Sequence, residues 1–418
     1  MSPLITAVSP TSDPKNTAVT ITGNNFGTDA GKVTVSFNAA PATVQSVTNT
    51  QIVALVPLKA NTGIVKVTVN TQSVDGPIFN YVASYIMSTI AGNGTRGHVD
   101  GAAASAQFDN PACLAVDALG NIFVADGNSI RKITAGANPV VSTFAGSPTS
   151  VSGSDDGAGN SARFALPVGL AMDAQGNLIV GDLGYSLIRK VTPAAVVTTL
   201  LGKKGGGSGY TDGILDVAQV NSPSGIAFDA QGDILVADGN NACIRKISTT
   251  GIVSTLARNG AVAGGYTDAT GTAARFRSPF RLAVDAAGNI YVTDTDNHVI
   301  RKVTAAGVVT TYGAGPGIVD GDISVARFFT PYGFAIDSSG NMYVIDRHIN
   351  AANITTDYTR KITPAGMVST IAGSDVGYAD GDGLTAKFNR LFGIATDAQG
   401  NIYVSDGTNY RIRKIAKE

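Results

Sequence analysis

One ten-residue phrase recurs six times along the chain. It reads DALGNIFVAD at 117–126, DAQGNLIVGD at 173–182, DAQGDILVAD at 229–238, DAAGNIYVTD at 285–294, DSSGNMYVID at 337–346 and DAQGNIYVSD at 397–406. An Arg-Lys pair follows each copy, led by Arg131, Arg189, Arg245, Arg301, Arg360 and Arg413, and a loop Asp precedes each: Asp100, Asp156, Asp212, Asp268, Asp320 and Asp380. From loop Asp to phrase is 17 residues every time, as in Asp100 to Asp117, and the two Asp of the phrase are always 9 apart. The step from the second Asp to the Arg drifts, being 5 in the first copy, 14 in the fifth and 7 in the others. Two fixed spacings and one loose one mean a single folding unit whose insertions are confined to particular loops.

The local pattern of the unit is β. Short apolar runs such as GLAMD and NLIVGD flank an Asp-Ala-Gln-Gly turn, in which Asp stands first and Gly fourth as a type I turn prefers. LIRKVT and VVTTLLG add two more strands, so each unit of roughly 56 residues holds four, the signature of a propeller blade. The last copy ends at IRKIAKE without its fourth strand, while IMSTIAG (86–92) stands unpaired ahead of the first and matches MVSTIAG at 367–373. The expected fold is therefore all-β. A six-bladed β-propeller over 85–418 is closed by a latch strand at 86–92 in the last blade, which leaves no open sheet edge.

GNIYVTDTDNHVIRK, with Asn297, His298 and Ile300, resembles an NHL repeat, named for its Asn-His-Leu signature. Other copies carry Ser186, Ala242 and Tyr410 at the His position. Asp294, Asp296, Asn297 and His298 are spaced like the oxygen ligands of a calcium loop. Yet Asp294 recurs as Asp126, Asp182, Asp238, Asp346 and Asp406, so it is read as a turn cap that also meets the recurring Arg.

Residues 1–84 have another rhythm. Val33, Val35 and Phe37 alternate, as do Val65, Val67 and Val69, between Gly, Asn and Pro clusters, which predicts a small immunoglobulin-like β-sandwich. ITGNNFG (21–27), ALVP (54–57) and FNYV (79–82) together resemble an IPT/TIG domain. Thirty basic residues against 31 acidic argue against nucleic acid or an anionic membrane as partner. No apolar run is long enough to span a bilayer. Cys113 and Cys243 are too few for a disulfide scaffold. MSPLITAVSP reads as a mature start with an added Met, its signal segment lying outside this sequence.

Function is expected on the face that carries the variable loops, here called the top, because binding concentrates on loops held by a rigid scaffold. At the channel mouth the blades show Ala112, Val168, Ser224, Phe280, Tyr332 and Phe392, so blades four to six bring three aromatics together. Arg281 follows where most blades have a small residue, and blade five has the longest excursion, 346–360, with Arg347, His348 and Tyr358. Phe280, Arg281, Tyr332, Phe392, Arg347, His348 and Tyr358 are the candidate ligand-binding residues, and aromatic packing between blades is the competing structural role. Tyr210, Tyr266 and Tyr378 in the linker loops read as turn and packing residues, with sugar stacking as their alternative.

The two resemblances together imply an exported or cell-surface bacterial protein that binds a polysaccharide or protein ligand without catalysis and without a cofactor. A metal-dependent lyase or lactonase-like hydrolase in the channel, and a plain structural spacer, stay open. Zinc or calcium would enter only with the enzyme. His98, His298 and His348 are the only histidines, and His298 and His348 the metal candidates.

Overall fold

A computed structural model describes residues 2–58, 60–257, 264–350 and 352–418. The chain forms two compact units, Met1–Ile86 with Lys417–Glu418, and Met87–Ala416. The described residues contain strands, turns and short 3-10 segments and no α-helix.

The first unit is a β-domain of eight strands. Leu4–Ser9, Ala18–Asn24 and Gln51–Leu55 form one half, and Val33–Phe37, Gly63–Val69, Gln72–Tyr81 and the short Ser12–Asp13 form the other. Ala40–Thr48 joins them: its first residues pair with Val33–Phe37, and after Thr43 it pairs with Gln51–Leu55. A register shift between Val44 and Ser46 lets this strand change sheets. Val19, Ile21 and Ile52 from one half meet Val35, Phe37, Val67 and Phe79 from the other in one buried core. The alternation of the valines puts their side chains there. Phe37 and Phe79 meet edge to face at 4.9 Å.

The second unit is a ring of six four-stranded blades, each with a two-residue fifth strand on its outer edge. In blade four the strands are Pro279–Val284, Ile290–Asp294, Val299–Val303 and Val308–Tyr312, edged by Ala269–Thr270. The sixth sheet is completed by Tyr85–Ala91, which lies between Arg411–Lys417 and Gly381–Asp382. The latch expected at 86–92 is thus the strand that closes the ring. Innermost strands neighbour one another all the way round, blade six returning to blade one.

The fixed turn of the repeat has a simple cause. In blade four Asp285 Oδ1 accepts from Ala287 N and Asn289 N, and Asn289 Nδ2 donates to Asp285 Oδ2. Gly288 sits at φ +81°, a left-handed backbone that a β-carbon would strain. The turn has room for no other length, hence the invariant spacing of 9.

The second fixed spacing is set by a buried arginine. Arg301 is fully buried. Its Nη1 donates to Asp294 Oδ2 at 2.9 Å and to Arg275 O at 2.8 Å, and its Nη2 to Asp268 Oδ1 at 2.6 Å and Thr267 O at 3.0 Å. Asp294 Oδ1 accepts from Arg277 N, and Asp268 accepts from Thr311 N and Oγ1. Phe276 and Tyr266 rings lie 5.1 and 5.2 Å from the guanidinium carbon. One side chain therefore ties the linker before the blade to its second, third and fourth strands. The same buried Asp–Arg pair occurs in every blade, Asp126–Arg131 through Asp406–Arg413. Burial pushes the carboxyls up, to about 6 in Asp294 and about 7 in Asp346, against the pull of the guanidinium and the donated N–H groups.

Removing one partner of such a pair strands a buried charge, at a cost of about 3–5 kcal/mol. Arg301→Met should lower unfolding stability by that amount in urea or guanidinium titration, and a loss below about 1 kcal/mol would refute the clamp.

Candidate functional site

Around the mouth of the ring the Asn-His-Leu phrase explains itself. Asn297 Nδ2 donates to Asp294 Oδ2 and to Gly265 O, each at 2.8 Å. Asn241 and Asn409 make the same two bonds in blades three and six. The next residue turns left-handed, at φ 52° in Ala242, 60° in His298 and 53° in Tyr410, so the chain can re-enter the third strand. Asp294 and Asn297 are therefore structural, and the calcium-like spacing is the geometry of a turn capped onto the buried arginine.

His298 Nδ1 meets Phe329 O, and the Phe329 ring stands 4.8 Å from His348, edge to face. His98 lies in blade one, where its Nε2 contacts Thr143 Oγ1 at 2.9 Å. Among the described residues no three His, Cys, Asp or Glu side chains come together in a group that could hold a metal.

The aromatics of blades four to six form a continuous row. Phe280 and Tyr332 centroids are 4.1 Å apart and tilted by 36°, and Tyr332 meets Phe392 at 5.7 Å. All three are half-buried, leaving part of each ring open. Arginines thread the row. Arg281 lies 4.4 Å over Phe280 and donates to Ser224 O of blade three at 2.6 Å. Arg347 lies 5.1 Å from Tyr332 and 5.4 Å from Phe392, and it donates to Leu391 O of blade six. Burial pushes the Tyr332 phenol up, while the charges of Arg281, Arg347 and Arg390 pull it back. The equivalent position is Cys113 in blade one and Gly169, Gly225, Gly333 and Gly393 in the remaining blades. In blade three a β-carbon on Gly225 would stand 2.8 Å from Phe280 O.

The excursion of blade five is a hairpin. Its second and third strands continue in register to Ile349 opposite Thr355, with a turn held by Asn350 N donating to Ile354 O at 3.0 Å. Ala351 lies outside the described residues. Register decides which predicted residues meet. Arg347 is opposite Asp357, so both point to one side, and Arg347 Nε donates to Asp357 Oδ1 at 2.8 Å. His348 and Tyr358 lie on the alternate side, away from the aromatic row. Five of the seven predicted residues come together, and His348 and Tyr358 lie apart from them.

Two contributors were not foreseen. Asp357, which also accepts from Leu391 N, holds Arg347 against blade six; its signal was an acid ten residues after an arginine in a stretch read as a loop. Arg390 is exposed, has φ 62°, and stands 5.5 Å from Phe392. The same left-handed turn occurs at Ser222 and Ser278, at φ 58° and 65°, so it belongs to the repeat and aims a side chain at the mouth of each of these blades. Arg390 and Leu166, the latter at φ 59°, both line a pocket of ≈ 400 Å³ beside Phe392, together with Arg96, Asp109 and Asn128. Arg96 is paired to Asp109 at 2.7 Å. Tyr210, Tyr266 and Tyr378 sit on the outer rim, their rings against Arg245, Arg301 and Arg413.

Comparison with known proteins fits this geometry. The IPT/TIG domain pattern matches residues 3–85, and the NHL repeat pattern matches residues 220–247. The chain carries an IPT/TIG domain and an NHL repeat, the latter within a six-bladed propeller. The propeller and the IPT/TIG domain each share their fold with two solved structures from Bacteroides thetaiotaomicron. One is a protein of unknown function, at TM-score 0.62 and 22% identity, and the other an auxiliary nutrient binding protein, at 0.60 and 19%. Each match covers 100% of this chain and 98% of the other. Teneurin-4 of Mus musculus is 24% identical over 319 residues, 69% of this chain, and the match spans 11% of the teneurin's own length.

Arg347 is the residue on which the row depends. Arg347→Ala leaves Asp357 buried without its cation and should cost about 2–5 kcal/mol. Thermal and urea unfolding measure this; an unchanged stability would mean that ring packing alone positions the row.

Proposed function

We propose that this chain is a non-catalytic, extracytoplasmic binding protein that captures a polysaccharide or protein ligand on the top face of its propeller. The carrying observation is the half-exposed row Phe280–Tyr332–Phe392, laced by Arg281 and Arg347 and adjoining the pocket under Arg390. Flat apolar faces beside the exposed Arg390 guanidinium, with Arg281 and Arg347 buried behind the rings, suit a ligand that offers both a ring or chain face and hydrogen-bond acceptors. Arg281, Arg347 and Arg390 outnumber the one carboxylate paired among them, Asp357, which favours a ligand bearing negative charge, such as a uronate-containing glycan or an acidic peptide.

A binding role agrees with the name of the like-folded auxiliary nutrient binding protein. No helix among the described residues is long and apolar enough to cross a membrane. Export is an inference from the IPT/TIG and NHL pairing.

The test is calorimetric titration with oligouronates, neutral oligosaccharides and acidic peptides. Stoichiometric binding should weaken about tenfold or more in Phe392→Ala and in Arg390→Ala, as for loss of an anchoring side chain. Turnover of a bound ligand, or affinity indifferent to both substitutions, would sink the reading.

A further inference from the structure

A second cavity lies on the face opposite the loops, between blades two and three. It measures ≈ 580 Å³ and is lined by Met172, Ile179, Leu200, Phe228 and Ile247, with Lys190 among the polar groups. Its other walls come from the Asp-Ala-Gln-Gly turns of these blades and from Leu215, Ile234 and Ser248 of blade three, so it shares nothing with the aromatic row. The volume falls within the range of small-molecule sites.

One repeat position beside the cavity differs between blades. Early in the second strand, the blades carry Phe123, Ile179, Leu235, Tyr291, Tyr343 and Tyr403. In blades one and four that residue is aromatic and packs on the outer strand: Phe123 meets Phe144 at 5.1 Å and Tyr291 meets Tyr312 at 5.3 Å. In blade two the corresponding pair is Ile179 and Leu200, neither of which has a ring.

The same change isolates a charge. The lysine after each buried arginine has a partner elsewhere. Lys132 lies 5.5 Å from the Phe123 ring, Lys302 5.8 Å from Tyr291 and Lys414 5.9 Å from Tyr403. Lys246 pairs with Asp229 and Asp233 at 2.8 and 2.7 Å. Lys361 is also engaged. Lys190 has no ring at Ile179 and makes no ion pair or side-chain hydrogen bond among the described residues, yet it is half-buried at the cavity.

The cavity's two carboxylates are already committed. Asp173 accepts from Gln175 N, Asn177 N and Asn177 Nδ2, closing its own turn. Asp229 accepts from Gln231 N and Asp233 N and is neutralised by Lys246. Lys190 is therefore the one charged side chain at the cavity with no ion pair or side-chain hydrogen bond among the described residues, and it stands beside an apolar wall.

We propose that this cavity is a binding site for an apolar monocarboxylate. Its hydrocarbon body lies against Ile179, Leu200, Phe228 and Ile247, and its carboxylate pairs with Lys190 Nζ. Burial of the body supplies most of the affinity, and the half-buried ion pair selects the acid over a neutral analogue.

Calorimetry with octanoate and 1-octanol on the full chain tests this. Octanoate should bind one per chain, and about tenfold or more tighter than octanol. Ile179→Tyr installs the ring that three other blades carry, so it should fold, fill the groove and abolish binding of both probes. Lys190→Met removes the charge at similar length, and it should bring octanoate down to the affinity of octanol. Melting temperature reports folding of both variants; if Ile179→Tyr fails to fold, Lys190→Met decides. No octanoate binding to the parent chain at millimolar concentration, or binding unchanged in Lys190→Met, overturns the proposal.

Discussion

Every blade is assembled on one buried guanidinium. Taking a charge out of water is so costly that an arginine at the centre of a blade persists only if its donors meet fixed acceptors. Those acceptors come from the linker before the blade, from the loop leading into it and from the end of its second strand, as Thr267, Asp268, Arg275 and Asp294 show around Arg301. Asp268 then carries the tie to the fourth strand through Thr311. Insertions between these anchors would pull an acceptor off the cation, so that part of the repeat keeps its length.

Variation is pushed to where no acceptor is needed. The connection from second to third strand is two residues, Gly127 and Asn128, in blade one, a short 3-10 turn in blades two to four, and a long hairpin in blade five. The clamp accommodates all of them because the Asp–Arg pair is closed below the loop. Departures from the repeat are therefore where chemistry collects. Arg281 stands where blade three has Gly225, Arg390 takes the left-handed position ahead of Leu391, and Ile179 replaces a ring. Each changes a surface or cavity and leaves the frame intact.

Much of the frame was legible beforehand, because it depends on interactions whose residues recur at fixed separations. Six copies of one Asp, one Gly and one Arg in register report a shared geometry more reliably than any single motif. The site was legible in part. The three aromatics occupy equivalent positions in neighbouring blades, and equivalent positions in a ring face the same mouth. His348 and Tyr358 were grouped with them because a loop gives no direction to its side chains. Once the stretch is a hairpin, alternation sends Arg347 to one side and His348 to the other.

The sequence by itself determined the number of blades, the latch, the two fixed spacings and the recurring arginine of each sheet, since all follow from short-range spacing and from the need to satisfy buried charge. Tertiary structure alone decided what happens between blades: that Arg347 reaches Leu391, 44 positions away, that Asp357 holds it there, that Arg390 borders a pocket with Arg96, and that Ile179 and Lys190 line a cavity. These depend on how adjacent sheets twist and lean against each other. That angle is set by the packing of whole side chains across the interface, and no spacing along the chain encodes it.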